Sequence, residues 1–177
     1  MSLVNKPAPS FSAAAFADGE IRTLESVELL ADNHWLVLFF YPKDFTFVCP
    51  TELIAFGEHL SAFEKLRAHV VGVSTDTVEC HRGWATADPR LATLGYPLVG
   101  DHKKELARAF DVLDDEAGVA LRGTFIIDPA GRVRWAQVND LDTGREIGEV
   151  LRVLAAVQTG GLTACAWKPG QTTLVPG

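Results

Sequence analysis

The stretch FYPKDFTFVCPTEL, residues 40 to 53, places a thiol where an apolar run gives way to a helical pattern. Trp35 to Tyr41 is seven apolar residues long and rich in aromatics and valine, which suits a buried central strand. Pro42 stops it. After the loop KDFTFV, the apolar residues Leu53, Ile54, Phe56, Leu60, Phe63 and Leu66 fall on one stripe of a single predicted helix, and Pro50 suits its first turn. Cys49 therefore starts a helix, where unpaired backbone N–H groups and the positive dipole end stabilise a thiolate. Two readings of it stand: a reactive nucleophile, or a small apolar residue of the core. Thr46, three residues earlier, carries a hydroxyl that can reach whatever Cys49 attacks. The carboxyl end of a strand is also where α/β proteins build their sites.

The remaining composition narrows what that thiol can serve. A chain of 177 residues with 47% apolar content makes one domain with a sizeable core. The net charge of −7 argues against nucleic acid or an anionic membrane as partner, and a longest apolar run of seven residues is far below a membrane span. The start MSLVNKPAPSF lacks the charged-then-apolar layout of a signal peptide, so a cytoplasmic location is the default. Cysteines at 49, 80 and 165 are odd in number and far apart, unlike a secreted disulfide framework, and without a CxxC or CxxH pair they make poor zinc ligands. No metal is expected. The sequence holds no GxGxxG, GxxxxGK or GxSxG, so no nucleotide cofactor is expected either.

The elements that must position Cys49 follow from local patterns. Residues 1 to about 34 read as a hairpin-like lead-in turning at Asp18-Gly19. His69 to Ser74 is a second buried strand, so strand, helix and strand form a parallel βαβ unit. Thr75-Asp76-Thr77 caps a helix through Cys80 and Trp84 towards Pro89. Tyr96 to Val99 reads as a short strand and Lys103 to Phe110 as a short helix. Asp114-Asp115-Glu116 reads as a solvated turn. Thr124 to Asp128 and Val133 to Val138 are strands about a turn at Pro129-Ala130-Gly131, and Gly144 to Gln158 is an amphipathic helix. Past Gly160-Gly161 the periodicity ends. The reading is an α/β domain, residues 1–161, with a central mixed sheet flanked by helices, and a C-terminal arm, residues 162–177.

PKDFTFVCPTEL resembles the peroxidatic loop of the two-cysteine peroxiredoxins, the alkyl hydroperoxide reductase catalytic subunit group, whose Pro-x-x-x-Thr-x-x-Cys appears as Pro42, Thr46 and Cys49. VVGVSTDT, YPLVGD, LRGTFIIDP, GREIGEVLRVLAAVQ and WKPG follow in the family's order, so the likeness covers nearly the whole chain. It implies a thioredoxin-like fold and a thiol peroxidase. Cys49 would attack the peroxide, Thr46 bind it, Pro42 shield the thiolate, and Arg122 stabilise the charge. Glu52 would pair with Arg122 and Arg145. It also stands where thioredoxins have the second cysteine of CxxC, which excludes dithiol exchange at this helix.

The resemblance extends to a second thiol and to assembly. Its resolving cysteine lies four residues before the tail tryptophan, whereas here Thr163 holds that place and Cys165 stands two before Trp167. An extended shift of two residues is only ~7 Å, which a flexible arm absorbs. Cys165 is thus the expected resolving thiol, in a disulfide to the neighbouring subunit's Cys49; a one-cysteine peroxidase recycled by an external thiol and a holdase chaperone are the alternatives. Thioredoxin or a flavoprotein disulfide reductase would supply electrons. The implied assembly is a homodimer through the strand around Trp135, and a ring of five dimers through Phe45 and the TDTVECHRGW segment, with Cys80 packing there beside Trp84. Ala92-Thr93-Leu94-Gly95 stands in place of an inserted GGLG, and the sequence ends at Gly177 without a Tyr-Phe helix, so resistance to overoxidation is expected.

Overall fold

The structure, a computed structural model, describes residues 2–175. The last two positions of the expected arm lie outside it. The lead-in is a hairpin of β1 (Ser12–Ala17) and β2 (Glu20–Glu25). Asp18 and Gly19 between them both have positive φ, 54° and 84°, as a type I′ turn demands. After the single helical turn α1 (Ser26–Leu29) comes β3 (Trp35–Phe40), the predicted central strand.

Two parallel crossovers and an antiparallel hairpin build the sheet around β3. The helices α2 (Cys49–Glu58) and α3 (Leu60–Lys65) lead to β4 (Ala68–Ser74), parallel to β3. Then α4 (Val78–Ala87) leads to β5 (Leu98–Gly100), parallel to β4. The turn-long α5 (Glu105–Ala109) and a small hairpin, β6 (Leu113–Asp114) with β7 (Val119–Ala120), precede β8 (Arg122–Ile127), β9 (Val133–Asn139) and α6 (Ile147–Gln158). The order is β2-β1-β5-β4-β3-β8-β9, with β8 antiparallel to both β3 and β9. This is the mixed sheet of a thioredoxin-like fold.

The alternation of β3 divides the core. Val37, Phe39 and Tyr41 face one layer, built on Leu53, Phe56, Phe63, Val150 and Leu154, while Leu36, Leu38 and Phe40 face the other, built on Phe110, Phe125 and Ile127. Both faces are covered, which is why the run is continuously apolar.

α6 starts at Ile147 rather than Gly144 and α5 spans Glu105–Ala109 rather than Lys103 to Phe110, and two further departures from the sequence reading lie in the helix after Cys49 and in β5. The predicted single helix breaks at His59 (φ −97°, ψ 3°), whose ring nitrogen and backbone N–H both meet the Ala55 carbonyl, and α3 resumes one residue later on the same core face. Gly57 sits just before the break with the Leu94 backbone against it, where an added Cβ would lie 3.2 Å from that carbonyl. Packing, not periodicity, placed the interruption. The short strand starts at Leu98 rather than Tyr96, because Pro97 offers only its carbonyl, taken by Gly72 N–H at 3.1 Å, and Tyr96 turns inward to donate to the Leu53 carbonyl at 2.8 Å.

The tail finds a seat on its own chain. Leu162 bridges Leu174, and Trp167 keeps only 4% of its surface exposed, so the stretch expected to lack packing is anchored by one aromatic. No helix among the described residues is long and apolar enough to cross a membrane.

Candidate active site

Cys49 is the first residue of α2 and has no exposed surface. The loop before it is pinned at two points. Thr75 donates its hydroxyl to the Pro42 carbonyl at 3.2 Å, and Asp44 is gripped on every side. The Tyr41 hydroxyl donates to Asp44 Oδ1 at 2.9 Å, His81 Nδ1 lies 2.7 Å from Oδ2, and the Asp44 N–H donates to Asp76 Oδ2 at 2.8 Å. Beyond Asp44 the chain turns outward. Phe45 adopts a left-handed φ of 54° and Phe47 is 96% exposed, while the Thr46 hydroxyl donates to the Lys43 carbonyl at 3.2 Å and keeps its lone pairs free to accept. Sequence reading gave Tyr41 a place in the strand and Asp76 a place in a helix cap but neither a hold on Asp44, and the partners Asp76 and His81 stand 32 and 37 positions from it.

Behind the sulfur lies a buried charge group. Arg122 Nη1 is 3.5 Å from Cys49 Sγ and donates to Glu52 Oε2 at 2.6 Å, and its Nε donates to the Leu141 carbonyl at 2.8 Å. Arg145 grips the same carboxylate through Nε to Oε1 at 2.8 Å and Nη2 to Oε2 at 2.9 Å. Its remaining Nη1 reaches the carbonyls of Phe40 and Gly123, and the guanidinium stands 5.0 Å over the Phe39 ring. All three side chains are at most 4% exposed. Two guanidiniums and one carboxylate leave one positive charge uncompensated. That charge faces the Cys49 sulfur, and the helix N-terminus adds to the same field.

The structure therefore brings Cys49, Glu52, Arg122 and Arg145 together, while Pro42 and Thr46 stand on the loop that leads into α2, held there by bonds to Thr75 and the Lys43 carbonyl. It does not bring in Cys165, which is exposed on the arm. Trp135 lies half-buried on β9, an end strand of the sheet. Phe45 and Trp84 meet at a tilt of 38° with centroids 5.8 Å apart, but Trp84 is 5% exposed and belongs to its own core, so of the two it is Phe45, at 61%, that is open to a neighbour. Cys80 lies with Asp44 and Asp76 in a group whose ligand atoms are within 4.8 Å of one another. Burial first, and then those carboxylates, push its thiol up to about 12. Asp76 accepts through Oδ2 from both the Ser74 hydroxyl and the Asp44 N–H.

The AhpC/TSA family matches residues 4–136. The chain belongs to that family. YkuU of Bacillus subtilis (strain 168), which carries a provisional peroxiredoxin name, is 47% identical over 176 residues, 97% of this chain and 98% of that one. Peroxiredoxin-2 of Rattus norvegicus is 42% identical, covering 98% and 90%. Among solved structures, the reduced 2-Cys peroxiredoxin of Plasmodium vivax superposes with a TM-score of 0.90 at 32% identity, covering 98% and 93%. The fold is that of the peroxiredoxins, and the protein is a thiol-dependent peroxidase.

Proposed function

We propose that the enzyme reduces hydrogen peroxide and organic hydroperoxides by a two-cysteine cycle. The observation that carries this reading is the uncompensated positive charge of Arg122, Arg145 and Glu52 beside a buried thiol. The Cys49 thiolate attacks one peroxide oxygen in line. The S–O bond forms, the O–O bond breaks, and the departing alkoxide or hydroxide takes a proton as it leaves. Arg122 stabilises the charge as it moves from sulfur to oxygen, Thr46 accepts from the peroxide hydroxyl, and Pro42 keeps water from the sulfur. Glu52 and Arg145 hold Arg122 in place.

The sulfenic acid on Cys49 is resolved by the Cys165 thiol, giving a disulfide and water, which thioredoxin or a flavoprotein disulfide reductase reduces. A sulfur with no exposed surface cannot meet a second one, so the first turn of α2 must open in each cycle. Val48 supplies no side-chain cap at that turn, which keeps the opening cheap. The edge of β9 past Val133, whose own N–H and carbonyl pair with Lys6 and Asn5, fits a dimer by strand pairing, and the exposed Phe45 fits a contact between dimers, as a ring of five dimers in the cytoplasm would use. Peroxide consumption should vanish in Cys49→Ser. In Cys165→Ser one equivalent should still be consumed and a dimedone-reactive sulfenic acid should accumulate. Peroxide-treated wild type should run as a dimer on a non-reducing denaturing gel. Continued turnover by Cys49→Ser would overturn the assignment of the nucleophile.

A further inference from the structure

The arm that carries Cys165 is tethered to the domain at one charged point. Arg152 of α6 donates Nη1 to the Trp167 carbonyl at 3.0 Å, two residues past Cys165. The same guanidinium is braced by Glu149, whose two carboxylate oxygens accept from Nε at 2.6 Å and Nη2 at 2.7 Å. A planar fork held on two sides has little freedom, so the carbonyl it grips is fixed as well. Trp167 locks the turn from within, donating Nε1 to the Gln171 carbonyl at 3.0 Å, while Gln171 Oε1 accepts from the Lys168 N–H at 2.8 Å. Cys165 stands in the turn just before it, which the Trp167 N–H closes by donating to the Ala164 carbonyl at 3.1 Å. Glu149 is the main reason that the Arg152 pKa lies above its ordinary value, and Cys165 adds a weaker contribution of the same sign, so its sulfur is within the field of the guanidinium.

We propose that Arg152 is a positioning residue for the resolving step, setting through the Trp167 carbonyl where Cys165 stands when it meets the Cys49 sulfenic acid. The inference rests on Cys165 being the resolving thiol. In that step the Cys165 thiolate attacks Cys49 Sγ, the S–S bond forms, the S–O bond breaks, and hydroxide leaves as water with the proton released from Cys165. Sulfenic sulfur is reduced and thiol sulfur oxidised, so no further reagent is needed. A fixed approach matters here because the cysteine stands only two residues before Trp167, whose carbonyl is the tether point.

Single-turnover oxidation of the full chain, quenched with acid at intervals and analysed by mass spectrometry, separates the loss of the Cys49 thiol from the appearance of the disulfide. In Arg152→Met the first phase should keep its rate, and the second should slow about tenfold, as expected for one lost charged hydrogen bond. Sulfinic acid on Cys49 should rise accordingly. Arg152→Lys, which can still donate to the Trp167 carbonyl, should recover most of the second rate. Should Arg152→Met melt below the assay temperature, Glu149→Gln, which unbraces the guanidinium, replaces it with the same expected split. An unchanged second phase overturns the proposal. So does equal slowing of both phases, or a lysine variant no better than methionine. Failure of the underlying reading shows separately, with Arg152 intact, as an undiminished second phase in Cys165→Ser.

Discussion

Two helices of ten residues each, α2 and α4, carry a cysteine in their first turn, and their surroundings are opposite. At α2 the sulfur of Cys49 faces a guanidinium at 3.5 Å, has no exposed surface, and sits on a helix start with no side-chain cap. At α4 the Cys80 N–H donates to the Thr77 hydroxyl, the sulfur lies beside Asp44 and Asp76, and the thiol is held protonated. Both thiols feel a helix dipole of the same sense. The dipole is a fraction of a charge falling off within one turn, whereas a whole charge at contact distance in a buried site outweighs it. A helix start is thus a permissive position for a reactive cysteine, and the neighbouring charge decides. Asp44 takes part at both ends, pinning the loop before Cys49 while adding negative charge near Cys80.

The largest test of this contrast removes the anion that allows two cations behind Cys49. Glu52→Ala leaves two buried guanidiniums facing each other, and should destabilise the fold by about 3–5 kcal/mol, read from the midpoint of urea unfolding. A shift of less than ~1 kcal/mol would mean that water enters and screens the pair.

Removing the cation at the sulfur comes next. Arg122→Met should slow the reaction of Cys49 with peroxide about 10²- to 10³-fold, the usual cost of one charge-stabilising donor. Stopped-flow oxidation with excess hydrogen peroxide measures it directly, and a rate within threefold of wild type would assign the reactivity to the helix alone.

Cys80 is the smaller, opposite case. Raising a thiol pKa from 9.0 to about 12 cuts the thiolate present at pH 8 about a thousandfold, and the greater nucleophilicity of the more basic thiolate returns part of that. Alkylation by iodoacetamide at pH 8 should therefore be about fortyfold slower at Cys80 in the folded protein than in urea. The sign carries over to stability. A folded-state pKa above the unfolded one stabilises the protein fully below pH 9, and that contribution disappears as the pH climbs towards 12. Cys80→Ala should flatten the part of the alkaline loss that begins near pH 9; Tyr41 and Tyr96, also raised well above 10, supply the rest at higher pH.

The smallest effect belongs to the arm, where contacts are few. Trp167→Phe keeps the buried ring but loses the Nε1 bond to the Gln171 carbonyl, worth about 1 kcal/mol, so cleavage of the arm by a protease should quicken by roughly fivefold. The unfolding midpoint of the domain should stay unchanged. A protection equal to wild type would show that the ring alone seats the arm.

Much of this arrangement follows from local chemistry and was readable in the chain. Seven apolar residues ending at Pro42 make a strand covered on both faces, Asp18-Gly19 makes a hairpin turn, and Pro50 starts a helix with Cys49 at its head, because each depends only on neighbours in sequence. The resemblance to the two-cysteine peroxiredoxins also singled out Arg122, Glu52 and Arg145. Three matters were left to the tertiary structure. The break at His59 comes beside a close approach of the Leu94 backbone to Gly57, and the Trp167 carbonyl is held by Arg152 fifteen positions earlier. Which of two helix-start cysteines meets a cation and which meets carboxylates depends on partners up to 73 positions away. Turns and periodicity are short-range properties of a chain. The charge beside a sulfur is set by which strands lie next to one another in the sheet, and only the folded order of β4, β3 and β8 puts Asp76 on one side and Arg122 on the other.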